Sequence, residues 1–273
     1  MTKENKLYKT GEVAKMFSIK KDTLFYYDRI GLFSPKYRKG NTSYRYYDSS
    51  QIKILDTILS LREMDIPIEQ LRQYLEDINN NSFLDLMELE NKKLDAKIQD
   101  LTIKRKIIAE LSKKMKKAME CEYDKLYIIE EMPRYYLSLP IKKRGKSIEE
   151  DWNKAYEEFW NSVDSNEIIT NGSILPKENF LAGKYSELSY ITGFTIRKSD
   201  KSTCKGLYAN FYIKCAYSDL VNKYKLFQEA LSKEGYMPVS DVHEEYIITS
   251  LSEKNEENFV TLLSVMVEKG STL

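Results

Sequence analysis

The chain has 273 residues, 42% hydrophobic and 31% charged, with 43 Lys/Arg against 42 Asp/Glu and a single histidine. That length allows two domains, each able to bury a core. Without a run of eighteen apolar residues or a charged-then-apolar N-terminal segment, the sequence excludes a spanning helix and a secretory leader and predicts a soluble cytoplasmic protein.

Charge is unevenly placed. Residues 1–50 hold eleven Lys/Arg and five Asp/Glu, a net of +6 in a chain whose total is +1. A basic end on a near-neutral protein points to an anionic partner such as nucleic acid. The three cysteines, Cys121, Cys204 and Cys215, are odd in number and widely spaced, which excludes a disulfide framework.

In chain order, Thr10 reads as the N-cap of a short helix whose apolar face is Val13, Ala14 and Phe17. Ser18 and Ile19 interrupt it. A second helix follows with Leu24, Tyr27 and Ile30 at helical spacing. Gly31 suits a left-handed residue just past its end, with Leu32 as the accompanying apolar contact. After Pro35, Lys39-Gly40-Asn41 supplies turn chemistry before the β-prone run Ser43–Tyr47. Helix, turn, helix and hairpin make a winged helix-turn-helix. Its Lys and Arg supply charge for duplex phosphates and its tyrosine hydroxyls donate hydrogen bonds.

Asp48-Ser49-Ser50 caps a third helix with Ile52, Leu55, Ile58, Leu59 and Leu61 inward, and Pro67 opens a fourth with Ile68, Leu71 and Leu75 inward. Asn79-Asn80-Asn81 reads as a breaker, and Ser82 as the cap of a long helix reaching Met119. Leu84, Met87, Leu94, Ile98, Leu101, Ile108, Met115 and Met119, with Asn91, Arg105 and Ser112 filling the other seam positions, alternate by three and four along it, a heptad seam that needs a partner helix. Residues 84–100 carry a net −2 and residues 101–117 a net +6, so antiparallel pairing joins unlike ends. A homodimer is the expectation, with residues 78–120 as linker and coiled coil.

Strands are expected over Leu126–Met132, Tyr135–Ile141, Leu188–Ile196, Gly206–Ile213, Pro238–Thr249 and Phe259–Val267. Helices are expected over Ser147–Val163 and from a Ser218 cap to Leu231, with Asn171-Gly172 as a turn. The two β-α-β halves suggest an α+β pseudo-repeat domain over residues 121–273. Within it, alternation places Val242, Glu244, Tyr246 and Ile248 on one strand face and His243, Glu245 and Ile247 on the other. A glutamate among apolar and aromatic neighbours needs a cation or a donor. Lys142-Lys143-Arg144-Gly145-Lys146 reads as a solvated loop. With no Walker loop, dinucleotide fingerprint or HExxH motif, no cofactor and no metal are expected.

The runs TGEVAKMFSIKKDTLFYYDRIGLFSP and SYRYYDSSQIKIL resemble, over about residues 8–77, the N-terminal domain of MerR-family transcription regulators, which sets a DNA-binding domain at residues 1–77. The resemblance implies DNA contacts from Thr10, Lys20, Lys21, Thr23, Tyr26 and Tyr27 and, in the wing, from Arg38, Lys39, Tyr44, Arg45 and Tyr46. Two departures stand out: Phe25 replaces an Arg, and Lys20 replaces a capping Ser or Thr. The runs Lys205–Ala209 and Val239–Glu244 resemble the GyrI-like effector-binding domain of multidrug-sensing MerR-type activators. That resemblance implies an aromatic pocket for a small lipophilic cation, built from Tyr190, Tyr208, Glu244, Tyr246, Glu257 and Phe259, with Cys215 and Leu220 standing where pocket aromatics are expected. The function it implies is a non-enzymatic, ligand-responsive activator that distorts promoter DNA so that RNA polymerase engages. Two other classes stay open at this point: a GyrI-like hydrolase using Glu244 and Glu257, and an architectural DNA binder without a small-molecule ligand.

Overall fold

The computed structural model describes residues 6–39, 44–143, 145 and 147–270. The wing turn at Gly40-Asn41 lies outside them, as do Arg144 and Lys146 of the basic loop. The chain forms two compact units, Met1–Ile98 and Gln99–Leu273.

In the first unit, β1 (Leu7–Lys9) leads into α1 (Thr10–Met16), α2 (Lys21–Arg29), β2 (Tyr37–Lys39), β3 (Tyr44–Asp48), α3 (Ser49–Glu63) and α4 (Ile68–Glu76). Lys9, not Thr10, occupies the cap of α1, and its backbone N–H donates to Glu12 at 2.7 Å. Ser18 sits at φ 55° in the turn between α1 and α2. Gly31 ends α2 at φ 70°, its N–H donating to Asp28 O and that of Leu32 to Tyr27 O, the paired pattern that satisfies a helix end. Asp48 caps α3 by accepting from the N–H groups of Ser50 and Gln51. The sheet order is β1-β3-β2, all antiparallel. The core gathers Val13, Leu24, Tyr27, Tyr47, Leu55, Ile58 and Leu71, each fully buried aliphatic contributing about 1.5–3 kcal/mol.

The long helix α5 runs over Asn80–Glu120, 41 residues. Its start differs from expectation. Asn79 caps it by accepting from Asn81 and Ser82 N–H, while the Ser82 hydroxyl turns back to the carbonyls of Asp77 and Asn79. An Asx side chain outcompetes the serine because it reaches two donors at once. The unit boundary at residues 98/99 falls inside this helix.

The second unit contains the C-terminal part of α5, then β4 (Leu126–Glu131), β5 (Tyr135–Pro140), α6 (Ile148–Ser162), β6 (Ile168–Leu175), α7 (Lys177–Leu181), β7 (Tyr190–Thr195), β8 (Gly206–Lys214), α8 (Leu220–Lys233), β9 (Tyr236–Pro238), β10 (Val242–Ile248) and β11 (Val260–Lys269). The strands form one antiparallel sheet ordered β4-β8-β11-β10-β6-β7-β5, with β9 beside β11. The runs β5-α6-β6-β7 and β8-α8-β10-β11 share one order, and β6 pairs with β10 where they meet. Helices α6 and α8 cover one face through Ala155, Phe159 and Ile191 and through Tyr224, Phe227 and Leu263. The last turns of α5 pack on the opposite face, with Ala118 against Tyr212, Ile247 and Leu262.

Asn171-Gly172 is not a turn. It lies inside β6, and a Cβ on Gly172 would sit 1.8 Å from the Glu244 carbonyl oxygen. The glycine is needed for that close approach, not for reversal of the chain. Ser218 does not cap α8; a 3-10 turn at Tyr217–Asp219 precedes it and the helix starts at Leu220. A bulge after Tyr246 breaks the alternation of β10, and Ile248 joins Ile247 in the cluster around Ala118 instead of sharing the Glu244 face.

Candidate DNA-binding and effector sites

The exposed side of the first unit carries the basic residues. Lys20, Lys21, Tyr26, Arg38, Lys39 and Tyr44 are exposed, and Thr10, Thr23, Arg45 and Tyr46 are partly so. A cleft of 680 Å³ between α2 and the wing is lined by Phe25, Tyr26, Asp28, Arg29, Arg38 and Arg45. Arg45 Nε donates to Asp28 at 2.7 Å, and its guanidinium lies 4.8 Å from the centre of the Phe25 ring. Burial pushes the Asp28 carboxyl up, but hydrogen bonds from Arg45, Ser34 and Arg38 outweigh it and hold the group below its usual range.

Tyr27 corrects the expected contact set. It is 6% exposed and belongs to the core of the first unit with Leu24, Leu32 and Phe33. Its spacing from Leu24 puts it on the apolar stripe of α2, so its ring serves packing. Phe25, which stands in place of an Arg, serves this surface as the ring under Arg45, and Asp28 was not expected as a member of it. The signal for Asp28 was present only as an acidic residue inside a basic stretch.

In the second unit, Glu244 on β10 is 2% exposed. Its oxygens accept from Tyr224 OH at 2.7 Å and Tyr246 OH at 2.8 Å. Among the described residues no salt bridge reaches it. Burial raises its pKa, and the hydroxyl donors of Tyr224, Tyr246 and Ser173 offset only part of that rise. The chain of polar contacts continues outward: Tyr246 OH lies 3.2 Å from Ser173 Oγ, which accepts from the Trp152 indole at 3.1 Å. Trp152 stacks on Tyr156 with ring centres 4.8 Å apart and lines a 290 Å³ cleft with Ile141, Ser147, Ile148, Asp151 and Leu188. Tyr217 bridges Tyr246 and Phe259 at 5.1 and 5.2 Å.

Glu245, the next residue, faces the opposite side and is fully buried. Lys114 of α5 donates to it at 2.5 Å and the Thr170 hydroxyl at 3.0 Å; Arg134, between β4 and β5, donates to the other oxygen. Arg134 also reaches Glu131 at 3.2 Å and lies 4.3 Å over the Phe194 ring. Burial alone would raise the Glu245 pKa, but the Arg134 and Lys114 charges drive it well below the carboxylate range. His243 packs edge-on to Tyr136 on the same face, and burial with the Arg134 charge lowers its pKa to about 4.

The family model for the MerR HTH family regulatory protein matches residues 8–78. The chain is 26% identical over 277 residues to the multidrug-efflux transporter 2 regulator of Bacillus subtilis, spanning 97% of each protein. It is 30% identical over 102 residues to the HTH-type transcriptional regulator HmrR of Sinorhizobium medicae, spanning 34% of this chain and 67% of that one. The chain belongs to the MerR family. A solved EcmrR–DNA complex aligns over 96% of this chain and all of its own, at 18% identity and a TM-score of 0.40.

Within this MerR-family chain, the eight residues expected around the effector do not all meet. Glu244, Tyr246, Cys215, Leu220 and Phe259 lie on or beside the helix-covered face of the sheet. Tyr208 and Tyr190 belong to the other face. Tyr208 alternates with Ala209 and Phe211, which pack under α8, and Tyr190 alternates with Ile191, which packs under α6. Glu257 is exposed on a 3-10 turn at Glu256–Asn258, so it does not form a carboxylate pair with buried Glu244. Tyr224, Tyr217, Ser173 and Trp152 are the members that went unread. Tyr224 had a usable signal: it falls on the Leu220-Tyr224-Phe227-Leu231 stripe, and a core tyrosine needs a partner for its hydroxyl.

Proposed function

We propose that this protein is a homodimeric, ligand-responsive transcription activator, organised as a winged helix-turn-helix over residues 1–77, a coiled-coil segment over 78–120 and a GyrI-like effector domain over 121–273. The N-terminal unit binds promoter DNA and distorts it so that RNA polymerase engages, an output carried by DNA deformation. The effector is a lipophilic cation received at Glu244. The observation that carries this reading is a buried carboxylate that, among the described residues, is met by hydroxyl donors and by no cation. Such a group is costly without a positive partner, and a cation entering among Tyr246, Tyr217 and Phe259 supplies one while stacking on their faces. The two matching β-α-β-β runs support the GyrI-like assignment. The name of the Bacillus subtilis relative, a regulator of a multidrug-efflux transporter, supports the ligand class.

Dimerisation is supported by the seam of α5: Leu94, Ile98, Leu101 and Ile108 are each more than half exposed, an apolar stripe that calls for a partner helix. The Glu245–Lys114 ion pair supports the route from ligand to helix, since Glu244 and Glu245 are neighbours on one strand and point to opposite faces.

Calorimetric titration of the parent and Glu244→Gln with a lipophilic quaternary ammonium and its neutral carbon isostere tests the assignment. The variant should lose about tenfold or more in affinity for the cation, roughly 1.4 kcal/mol, and little for the isostere. Equal losses for both ligands would mean that Glu244 shapes the pocket without reading charge.

A further inference from the structure

An acidic residue sits in the middle of the basic surface. Asp28 lies in the last turn of α2 with its side chain 5% exposed. Its two oxygens accept from Arg38 Nη2 at 2.8 and 2.9 Å, and one also accepts from Arg45 Nε at 2.7 Å. Arg38 and Arg45 stand directly opposite each other across the wing hairpin. Two like charges at such a position repel, and a carboxylate between them removes the repulsion. A second contact fixes Arg45, whose guanidinium rests on the Phe25 ring at 4.8 Å. One carboxylate therefore ties both strands of the wing to the helix that carries Lys21, Thr23 and Tyr26.

A negative charge here weakens attraction to phosphate, so its presence calls for a compensating gain. The geometry points to Asp28 as a positioning residue that lowers affinity for DNA in general and raises discrimination between sequences. With Nε engaged, Arg45 keeps its terminal nitrogens for phosphate at an angle set by Asp28 and Phe25. Phosphate contacts hold the register in which base contacts are read, so a wing fixed to α2 keeps the two sets in step. Without the carboxylate, both arginines are free to follow any phosphate on any sequence. The inference rests on the DNA-binding reading given above.

The test compares two probes: a duplex selected on the parent protein from a random pool, and the unselected pool. Asp28→Asn keeps the shape and deletes the charge. Its affinity for the pool should rise at low salt, and its salt slope should steepen by about one, a fall about fourfold larger than the parent's between roughly 50 and 200 mM salt. Its preference for the selected duplex should drop about tenfold, within the range of one good base contact. Adding Arg38→Gln should abolish the steepening and leave discrimination impaired. Circular dichroism establishes that each variant is folded. Arg45→Lys, at a partly exposed position, covers a failure of Asp28→Asn to fold: it keeps the charge but loses the fork and the ring stack. It should lose discrimination at the parent's salt slope. The role of Asp28 is overturned if Asp28→Asn weakens both probes in equal proportion with the parent's slope, or if Arg45→Lys keeps full discrimination. A parent protein that binds neither probe would overturn the DNA-binding reading itself.

Discussion

Lys114→Met is the sharpest probe of how the second unit is held to its helix. The lysine is 21% exposed and Glu245 fully buried, so little solvent screens the pair. Removing one partner of a buried ion pair costs about 3–5 kcal/mol. Arg134 and the Thr170 hydroxyl still reach Glu245, which argues for the lower end, about 3 kcal/mol. In a unit of this size each kcal/mol moves the melting temperature by about 2–4 °C, so a fall of roughly 6–12 °C is expected. The folded Glu245 carboxyl titrates below its ordinary value of 4.5. Its contribution is therefore present at neutral pH and lost as the pH falls below 4.5, and the gap between parent and variant should narrow on acidification. Scanning calorimetry across pH supplies the measurement, with Glu245→Gln and the double variant completing a cycle. The double variant should recover part of the loss, because the buried Glu245 charge is then gone and Arg134 keeps Glu131 at 3.2 Å. Additive losses, or a Lys114→Met melting point within a degree of the parent's, would refute the pair as a structural joint. If the joint also transmits the effector, Lys114→Met keeps cation affinity at Glu244 but loses the ligand's effect on promoter output.

Other outcomes follow from the same structure. Gly172→Ala should destabilise the second unit by about 3 kcal/mol or more, since its Cβ would meet the Glu244 carbonyl at 1.8 Å and force β6 from β10; a parent-like denaturation midpoint would contradict that register. Leu101→Glu, at an exposed seam position, should dissociate the dimer in sedimentation; an intact dimer would show the seam to be wrong. His243, with its pKa lowered to about 4, should cost stability as the pH falls from about 6.5 towards 4, by up to roughly 3 kcal/mol. Glu244 has the opposite sign, its raised pKa withdrawing stability as the pH rises above 4.5. Stability–pH curves of His243→Gln and Glu244→Gln should therefore depart from the parent in opposite directions, and parallel curves would contradict both environments.

Much of the first unit was legible in the chain itself. The Gly31 terminus, the Asp48 cap and the stripes of α3 and α4 depend on residues three or four apart, within reach of local steric and hydrogen-bond rules. The opposite orientation of Glu244 and Glu245 likewise follows from strand alternation alone. What escaped was long-range. Gly172 is a turn residue by local preference, and only the approach of β10 makes it a strand residue. Tyr208 and Tyr190 are aromatic and correctly placed on strands, yet the faces they occupy depend on which side α6 and α8 cover. Asp28 meets Arg45 across 17 residues and Lys114 meets Glu245 across 131. No local propensity encodes such pairs. They exist because burial leaves a carboxylate no solvent, and the folded chain then brings a cation within reach of it.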